Sequence, residues 1–293
     1  MVIGLKQNLI SKYRQQRTLK NSISFSGIGI HTGKEVQITF VPAPENAGIT
    51  FCRVDLPDRP RIPASVNYVY ETSRSTSIGI NNVVIHTIEH VLAAVRANNI
   101  DNLCIEIKGI EPPAANGSSD AFVNMIEEVG ILEQAEQKPV IKIQSPIHWN
   151  QEDTYIMAFP YDGYRISYTL NYPHSKLLNC QFYSLEVNSY NFKHEIASCR
   201  TFALYKEVAY LLDHGLAKGA SLDNAVIIHE EAAFSKGGLF FPDEMVRHKI
   251  LDMIGDLSLV GIEFEAHVIA LRAGHASNCA FAKELLNSIT ECA

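Results

Sequence analysis

Strand-patterned and helix-patterned segments follow one another in the same order in both halves of this 293-residue chain. Each half opens with runs of alternating apolar and polar residues, bounded by Gly, Pro, Asn or Asp, which are typical of strands. Each half then changes to the 3.6-residue spacing of helices, in the first half at about His86. Strands and helices that are segregated in this way, without regular β-α-β alternation, predict an α+β fold.

A polar segment separates the two halves and divides the chain into two expected domains. Residues 134–139, EQAEQK, close the first unit of strands and helices, and PVIKIQSPIHW begins a new run of strands. We therefore expect one domain over residues 1–137 and a second over residues 138–293. A cleft between two such units is a natural ligand site.

The composition argues against several classes of protein. Charged residues make up 19% of the chain and the formal net charge is -7, so no broad basic surface for nucleic acid is expected. The six cysteines form no C-x-x-C pair, which argues against a disulfide framework and against a thiolate metal site. These features favour a reducing, cytoplasmic location. No long apolar surface stripe is left over, which favours a monomer.

The N-terminal segment lacks a targeting pattern. Lys6, Lys12, Arg14 and Arg17 interrupt its apolar residues, so no signal peptide is expected. No apolar run in the chain reaches the roughly 18 to 20 residues that cross a bilayer. Residues 2–10 could form a short amphipathic helix that contacts a membrane peripherally, but so few residues favour a frayed tail.

The segment DEMVRHKILDMIGD, residues 243–256, is predicted to be a helix with one polar stripe. Glu244, His248, Asp252 and Asp256 lie four residues apart, so they fall on one face opposite an apolar face. Polar helix faces usually carry Lys and Glu, whereas His and Asp at i and i+4 can grip one metal ion. The alternative is a solvated face on which this pair occurs by chance.

A second candidate metal-binding sequence is HTIEH in the first half. Read as H-x-x-E-H, it matches the inverted zinc-peptidase pattern, in which His86 and His90 both bind zinc. The other interpretation takes only His90 from this helix and adds His248 and Asp252. Both sets give three protein ligands and leave the open position that catalytic zinc requires, so the residues alone leave the choice open.

Other residues could carry out acid-base chemistry beside such a metal. Glu89 points about 100° away from the neighbouring histidine, where it could act as a general base on a metal-bound water. His275 lies where a strand ends and a helix begins, and it could act as a general acid. Asp256 is the candidate to orient it, and Lys249 could stabilise negative charge near the metal.

Six segments, spread in order from about Arg17 to Leu286, carry a resemblance to a known family. They are SGIGIHTGK (26–34), HTIEH (86–90), EPPAANGSSDAF (111–122), SCRTF (198–202), DEMVRHKILDMIGDL (243–257) and AGHASN (273–278). Together they resemble the bacterial UDP-3-O-acyl-N-acetylglucosamine deacetylases, the zinc amidases of lipid A synthesis. The segment RHKILDxIGDL is highly specific for this family.

The resemblance implies a fold and a metal site. The fold it implies is two β-α-α-β sandwich domains with the active site between them. The metal it implies is one Zn²⁺ per chain held by His90, His248 and Asp252, with His86 not a ligand. A His/His/Asp site with an open position also suits Fe²⁺.

The resemblance also implies roles around the metal. Glu89 would be the general base, and His275, with Asp256 behind it, would protonate the departing sugar amine. Thr201 would hydrogen-bond the oxyanion, with Lys249 nearby. Two further roles concern the substrate, because Phe202 would help to shape its passage and residues 214–223 would belong to an insert that lines the acyl chain.

Two positions depart from the family pattern. Asn116 stands before Gly117 where the family usually has Asp, so any role of a carboxylate in holding that turn is in question. Arg272 stands where a Lys is often found, and the two cations differ in their phosphate geometry, so substrate contacts at Arg272 could be rearranged.

The function expected from the sequence is hydrolysis of the 2-acetamido group of UDP-3-O-acyl-N-acetylglucosamine, a small-molecule substrate. Stable insertion into a membrane is not expected, but peripheral contact with a membrane is compatible with the sequence. Two alternatives remain open at this point, an H-x-x-E-H zinc metallopeptidase and a non-catalytic module that binds lipid or nucleotide sugar.

Overall fold

The computed structural model describes residues 4–291, and the expected tail residues Val2 and Ile3 lie outside them. The described residues form eighteen strands and six α-helices, which confirms the predicted α+β fold. None of the helices in this range is both long enough and apolar enough to span a membrane.

The first half of the chain contributes ten strands and two helices. The strands are β1 (Ile10–Leu19), β2 (Ile23–Ile28), β3 (Glu35–Pro42), β4 (Ile49–Arg53), β5 (Arg61–Pro63), β6 (Val69–Glu71), β7 (Ser77–Ile80), β8 (Val83–Ile85), β9 (Leu103–Lys108) and β10 (Ile131–Lys142), and the helices are α1 (Glu89–Ala97) and α2 (Asp120–Val129).

The second half contributes eight strands and four helices. The strands are β11 (Ile147–Gln151), β12 (Thr154–Phe159), β13 (Tyr164–Leu170), β14 (Gln181–Glu186), β15 (Phe202–Leu204), β16 (Val226–His229), β17 (Ala232–Phe234) and β18 (Glu263–Leu271), and the helices are α3 (Ser189–Asn191), α4 (Tyr205–Asp213), α5 (Glu244–Ser258) and α6 (His275–Ile289).

The strands form four sheets. A five-stranded sheet has the order β2-β3-β9-β4-β5, and a seven-stranded sheet has the order β1-β10-β18-β12-β11, with β13 and β14 extending from β18. Two three-stranded sheets, β6-β7-β8 and β15-β16-β17, complete the set. Strand β18 lies at the centre of the large sheet, because it pairs with β10 and β13 in parallel and with β12 antiparallel.

The expectation of a frayed tail over residues 2–10 is wrong for the described residues of that range, because Lys6 N–H donates to the carbonyl oxygen of Ile289 at 3.1 Å, Gln7–Leu9 form a short 3₁₀-helix and Ile10 begins β1. Residues 10–19 form β1, which pairs antiparallel with β10. The basic residues that interrupt the apolar pattern have distant acidic partners, since Arg14 Nη1 lies 2.7 Å from Asp101 Oδ2 and Lys12 Nζ lies 2.6 Å from Glu265 Oε1. Residues 134–139, expected to close the first unit, lie inside β10.

Helix α1 begins at Glu89 and not at His86, which corrects the expected start. Thr87 adopts φ 57°, which a helix cannot continue through. The end near Asn98 is as expected, since Asn98 is the C-cap. His86 therefore precedes the helix, whereas His90 lies in its first turn.

Helix α5 is buried on both its apolar and its polar faces and packs against α1, α6 and β13. Gly255 lies where α5 meets the start of α1, because a Cβ at this position would stand 2.1 Å from the carbonyl oxygen of Glu89. The absence of a side chain at Gly255 thus allows the two helices that carry the candidate site to come into backbone contact.

Candidate active site

The polar stripe of α5 is buried, so the alternative of a solvated helix face is wrong. Glu244, His248, Asp252 and Asp256 are each 2% exposed or less. Burying four ionisable side chains on one helix is costly unless each of them is paired, hydrogen-bonded or bound to a ligand. The partners of these four residues define the site.

Two histidines and one aspartate converge at the contact between α1 and α5. His90 from α1 and His248 and Asp252 from α5 offer ligand atoms that all lie within 4.8 Å of one another. Oδ1 of Asp252 is 3.5 Å from Nε2 of His90 and 3.4 Å from Nε2 of His248. These three residues could hold a metal ion.

His248 is held in the form that suits a metal ligand. Its Nδ1 lies 3.0 Å from the carbonyl oxygen of Cys199, which can only accept, so Nδ1 carries the proton and Nε2 faces the cluster with a free lone pair. Burial lowers the pKa of His248 to about 3, which keeps the ring neutral at physiological pH.

Asp252 has one oxygen paired and one without a partner among the described residues. Lys249 Nζ donates to Oδ2 at 2.8 Å, whereas the buried Oδ1 has no hydrogen-bond donor. Burial alone would raise the pKa of Asp252, but His248 and Lys249 outweigh it and hold that pKa well below the ordinary value. A buried, ionised oxygen that lacks a donor and faces two imidazole nitrogens fits a bound cation.

Glu89 is the first residue of α1 and lies beside this cluster. Its Oε2 accepts a hydrogen bond from the backbone N–H of Thr76 at 3.0 Å, and its Oε1 lies 4.0 Å from Nε2 of His275. Burial raises the pKa of Glu89, which brings the carboxyl group closer to the range in which a general base works.

His275 is the first residue of α6, after the N-cap Gly274, which agrees with the predicted strand-to-helix junction. Its Nδ1 lies 3.0 Å from Oδ2 of Asp256, so Nδ1 donates to this carboxylate. Burial would lower the pKa of His275, but Asp256, Asp252 and Glu89 outweigh it and raise that pKa to about 9. The imidazole is therefore protonated at neutral pH.

Asp256 accepts hydrogen bonds from three donors. Besides His275, the amide of Asn278 donates to Oδ2 at 2.9 Å and the hydroxyl of Thr76 donates to Oδ1 at 2.5 Å. Sequence reasoning missed both Thr76 and Asn278. Each is an ordinary polar residue, and no spacing pattern links either one to α5, although Asn278 falls one helical turn after His275.

A second group of possible ligands overlaps the first. Glu89, Asp252 and His275 also offer atoms within 4.8 Å of one another. The two groups share Asp252, so the described side chains form one continuous cluster of five ionisable residues. His86 belongs to neither group, and its Nδ1 lies 2.8 Å from the hydroxyl of Ser77.

One cavity is lined by the cluster, and two neighbouring cavities share lining residues with it. The central one, of about 440 Å³, is lined by Glu89, His90, His248, Lys249, Asp252 and His275, and also by Thr201, Phe202 and Arg272. An apolar cavity of about 710 Å³ shares Thr201 and Phe202 with it. A third cavity, of about 620 Å³, shares Arg272 with the central one.

Thr201 and Phe202 lie on the wall between the central and the apolar cavity. The backbone of Thr201 is fixed on both sides, because its N–H donates to the Gly117 carbonyl at 2.9 Å and its carbonyl accepts from Val226 N–H at 2.9 Å. The Phe202 ring centroid lies 6.5 Å from that of His248 and 5.6 Å from Nζ of Lys249.

The partner of Glu244 is Arg200, which sequence reasoning also missed. Glu244 Oε1 accepts from the backbone N–H of Arg200 at 3.0 Å and from its Nε at 2.8 Å, and both side chains are buried. Arg200 Nη2 continues to the carbonyl oxygen of Gly238 at 2.6 Å. This ion pair fixes the backbone between Cys199, which orients His248, and Thr201.

Comparison with known proteins identifies the family. A family model described as LpxC, UDP-3-O-acyl N-acetylglycosamine deacetylase, matches residues 16–287. The chain belongs to the UDP-3-O-acyl-N-acetylglycosamine deacetylase family. The resemblance drawn from the six sequence segments is thereby confirmed.

Relatives with the name UDP-3-O-acyl-N-acetylglucosamine deacetylase match over nearly their whole length. The protein of Chlamydia caviae is 46% identical over 273 residues, which cover 93% of this chain and 97% of the relative. That of Chlamydia pneumoniae is 47% identical over 277 residues, covering 94% and 98%. That of Chlamydia trachomatis serovar L2 is 43% identical over 276 residues, covering 94% and 96%.

The two departures from the deacetylase family pattern have defined contacts. Asn116 keeps its turn hydrogen-bonded without a carboxylate, because its amide oxygen accepts from the Ser118 hydroxyl at 2.7 Å and from the Ser118 N–H at 3.3 Å. Arg272 adopts φ 57° at the end of β18, and its Nη1 lies 3.3 Å from Asp153 Oδ2.

Proposed function

We propose that this chain hydrolyses the 2-acetamido group of UDP-3-O-acyl-N-acetylglucosamine, releasing acetate and the free amine, with one zinc ion as cofactor. The observation that carries the proposal is the convergence of His90, His248 and Asp252, with a buried Oδ1 that lacks a donor, beside Glu89 and His275. Family membership and the printed names of the relatives support the substrate.

The ligand set in this proposal is His90, His248 and Asp252 and not the overlapping set Glu89, Asp252 and His275. A metal ligand must offer a lone pair, and His248 does so because burial keeps it neutral. His275 is protonated at neutral pH, and its Nδ1 is engaged by Asp256. A zinc ion held by the proposed set would lower the pKa of a water molecule and polarise the acetamide carbonyl group.

Glu89 acts as the general base in this proposal. Thr76 holds its Oε2, and Oε1 remains directed toward the cavity, where it can take a proton from the attacking water. The hydroxyl of Thr201 donates a hydrogen bond to the oxyanion that forms on the former carbonyl oxygen. The positive charge of Lys249 stabilises the same anion. Burial would lower the pKa of Lys249, but Asp252 and the neighbouring tyrosines outweigh it and raise that pKa, which favours the charged ammonium group.

His275 acts as the general acid. An amine anion is a very poor leaving group, so the sugar nitrogen must gain a proton as the C–N bond breaks. The imidazole holds that proton at Nε2, which faces the cavity, while Asp256 accepts the Nδ1 proton and stabilises the cation. The pKa of about 9 supplies the protonated form at neutral pH.

The apolar cavity and the third cavity suit the two ends of the proposed substrate. The apolar cavity is lined by side chains such as Val208, Leu211 and Ile227 and would take the acyl chain, with Phe202 at its entrance. Ala217, Ala220 and Leu222 of the segment 214–223 also line it, in support of the insert role. Arg272, between the central and the third cavity, would bind the nucleotide end of the substrate.

Four expectations drawn from the sequence are part of this proposal and remain predictions. They are the division into two sandwich domains with the site between them, the cytoplasmic location, the monomeric state, and the ability of Fe²⁺ to replace Zn²⁺.

The direct test is an assay of the purified chain with UDP-3-O-acyl-N-acetylglucosamine. We expect equal amounts of acetate and free amine, and we expect a chelator to abolish the reaction and added Zn²⁺ to restore it. The same sample should not cleave peptides. A chain that binds the substrate without releasing acetate would instead be a binding module, and chelator-sensitive peptide cleavage would support the metallopeptidase.

A further inference from the structure

Thr76 lies immediately before β7, between the start of α1 and helix α5, and is fully buried. All three of its hydrogen-bonding groups contact these helices or the residue that precedes α1. Its carbonyl oxygen accepts from Ile88 N–H at 3.1 Å, its N–H donates to Oε2 of Glu89 at 3.0 Å, and its hydroxyl donates to Oδ1 of Asp256 at 2.5 Å. A single residue thus bridges two carboxylates on different helices.

The two carboxylates that Thr76 contacts flank one imidazole ring from opposite ends. Asp256 uses its other oxygen, Oδ2, to accept from Nδ1 of His275 at 3.0 Å. Glu89 directs its other oxygen, Oε1, toward Nε2 of the same ring at 4.0 Å. Each carboxylate therefore has one oxygen fixed by Thr76 and one oxygen facing the histidine.

We propose that Thr76 is a positioning residue, which aligns the base Glu89 with the acid His275 through these two hydrogen bonds. This inference rests on the proposed function. Thr76 has no exposed surface through which it could reach a substrate, so its effect passes through the two carboxylates. Its β-branched side chain has a restricted χ1, which keeps the hydroxyl aimed at Asp256.

The physical consequence of losing the hydroxyl is a change in geometry at the reacting groups. Oδ1 of Asp256 would lose the donor seen in the structure while still buried, so the carboxylate would turn toward another donor. A movement of Asp256 would also move the His275 ring, because Nδ1 of His275 donates to Oδ2 of Asp256. A misplacement of about 1 Å in a catalytic group can lower a rate on the order of 100-fold.

The neighbouring Ser77 provides a matched control. It is the next residue in the chain, is 2% exposed, and carries a hydroxyl 2.8 Å from Nδ1 of His86. Removing the Ser77 hydroxyl therefore removes the hydrogen bond of a buried hydroxyl at the next position in the chain, but one that does not reach the ionisable cluster.

The experiment compares Thr76→Val, Thr76→Ser and Ser77→Ala with the wild type, each measured for kcat and KM in acetate release, bound metal and melting temperature. In Thr76→Val we expect kcat to fall at least about 10-fold, with KM and metal content nearly unchanged. Thr76→Ser should regain most of the rate. Ser77→Ala should keep the wild-type kcat, even where its melting temperature falls as far as that of Thr76→Val.

The inference is overturned if Thr76→Val keeps the wild-type kcat, or if Ser77→Ala loses as much. If Thr76→Val does not fold, Thr76→Cys takes its place under the same criteria, because a thiol is only a weak donor. Failure of the wild type itself to release acetate contradicts the proposed function, whereas an active wild type with an equally active Thr76→Val contradicts only the role of Thr76.

Discussion

Nδ1 of His275 lies 3.0 Å from Oδ2 of Asp256, while Nε2 of the same ring lies 4.0 Å from an oxygen of Glu89 and from an oxygen of Asp252. The ring is thus held at one nitrogen and open to the cavity at the other. This arrangement suits proton donation, because the orienting partner and the reacting site are on opposite sides of the imidazole.

Replacing His275 should remove the general acid without removing the metal. We expect His275→Ala to lower the rate of acetate release by about 10²- to 10⁴-fold, the usual contribution of such a group, with metal content near that of the wild type. His267→Ala is a suitable control, because His267 contacts Ser167 on the neighbouring strand and not the cluster. Loss of bound metal in His275→Ala would show that His275 is a ligand.

Breaking the buried Arg200–Glu244 pair should lower the free energy of unfolding. Glu244→Ala leaves the Arg200 guanidinium without its buried partner, which typically costs about 3 to 5 kcal/mol. Urea unfolding would measure the change. The exposed pair of Lys193 and Glu127 gives the control, since Glu127→Ala should change stability by less than about 1 kcal/mol. Equal effects in the two variants would contradict this account.

The contacts that hold β1 should make stability depend on pH. Burial would raise the pKa of Asp101, but hydrogen bonds from Arg14 and Lys138 outweigh it and lower that pKa below the ordinary value. Because the folded-state pKa is depressed, the stabilisation is present above about pH 4, the unfolded value, and is lost as pH falls toward the folded value.

The comparison of wild type with Asp101→Asn measures this dependence. The wild type should have the larger free energy of unfolding at pH 7, and the difference between the two proteins should shrink as the pH falls below about 4. Unfolding in denaturant at several pH values gives these quantities. A difference that stays constant between neutral and acidic pH would exclude an ionised, stabilising Asp101.

Filling the apolar cavity should change which acyl chains are accepted. Val208 lines the cavity from α4, so Val208→Trp would occupy part of its volume. We expect kcat/KM for a long-chain substrate to fall at least about 10-fold, with a smaller effect on a short-chain substrate. Ala209→Trp, at an exposed position on the same helix, should change neither value. An equal loss for both chain lengths in Val208→Trp would argue against an acyl passage.

The parts of the fold and site that depend on local patterns could be predicted from sequence. The 3.6-residue period placed Glu244, His248, Asp252 and Asp256 on one face of α5, and the structure agrees. The start of α1 was predicted three residues too early, because the helical spacing extends through Thr87 although its backbone does not. The spacing of apolar residues does not reveal that a single residue, Thr87, adopts a left-handed backbone conformation.

The parts that depend on distant contacts could not be predicted in this way. Strand β1 needs a partner more than a hundred residues away, and its basic residues look like a solvated tail until Asp101 and Glu265 are placed beside them. Thr76 is 180 residues from Asp256, and a threonine before a strand has no distinguishing pattern. Tertiary packing alone gives these residues their roles.

The metal content of the wild type and of two variants tests the central claim most directly. The account predicts about one bound zinc per chain in the wild type, near-complete loss of zinc in Asp252→Ala, and retention in His86→Ala, whose imidazole contacts Ser77 instead of the cluster. Loss of zinc in His86→Ala with retention in Asp252→Ala, or no stoichiometric metal in the wild type, would contradict it.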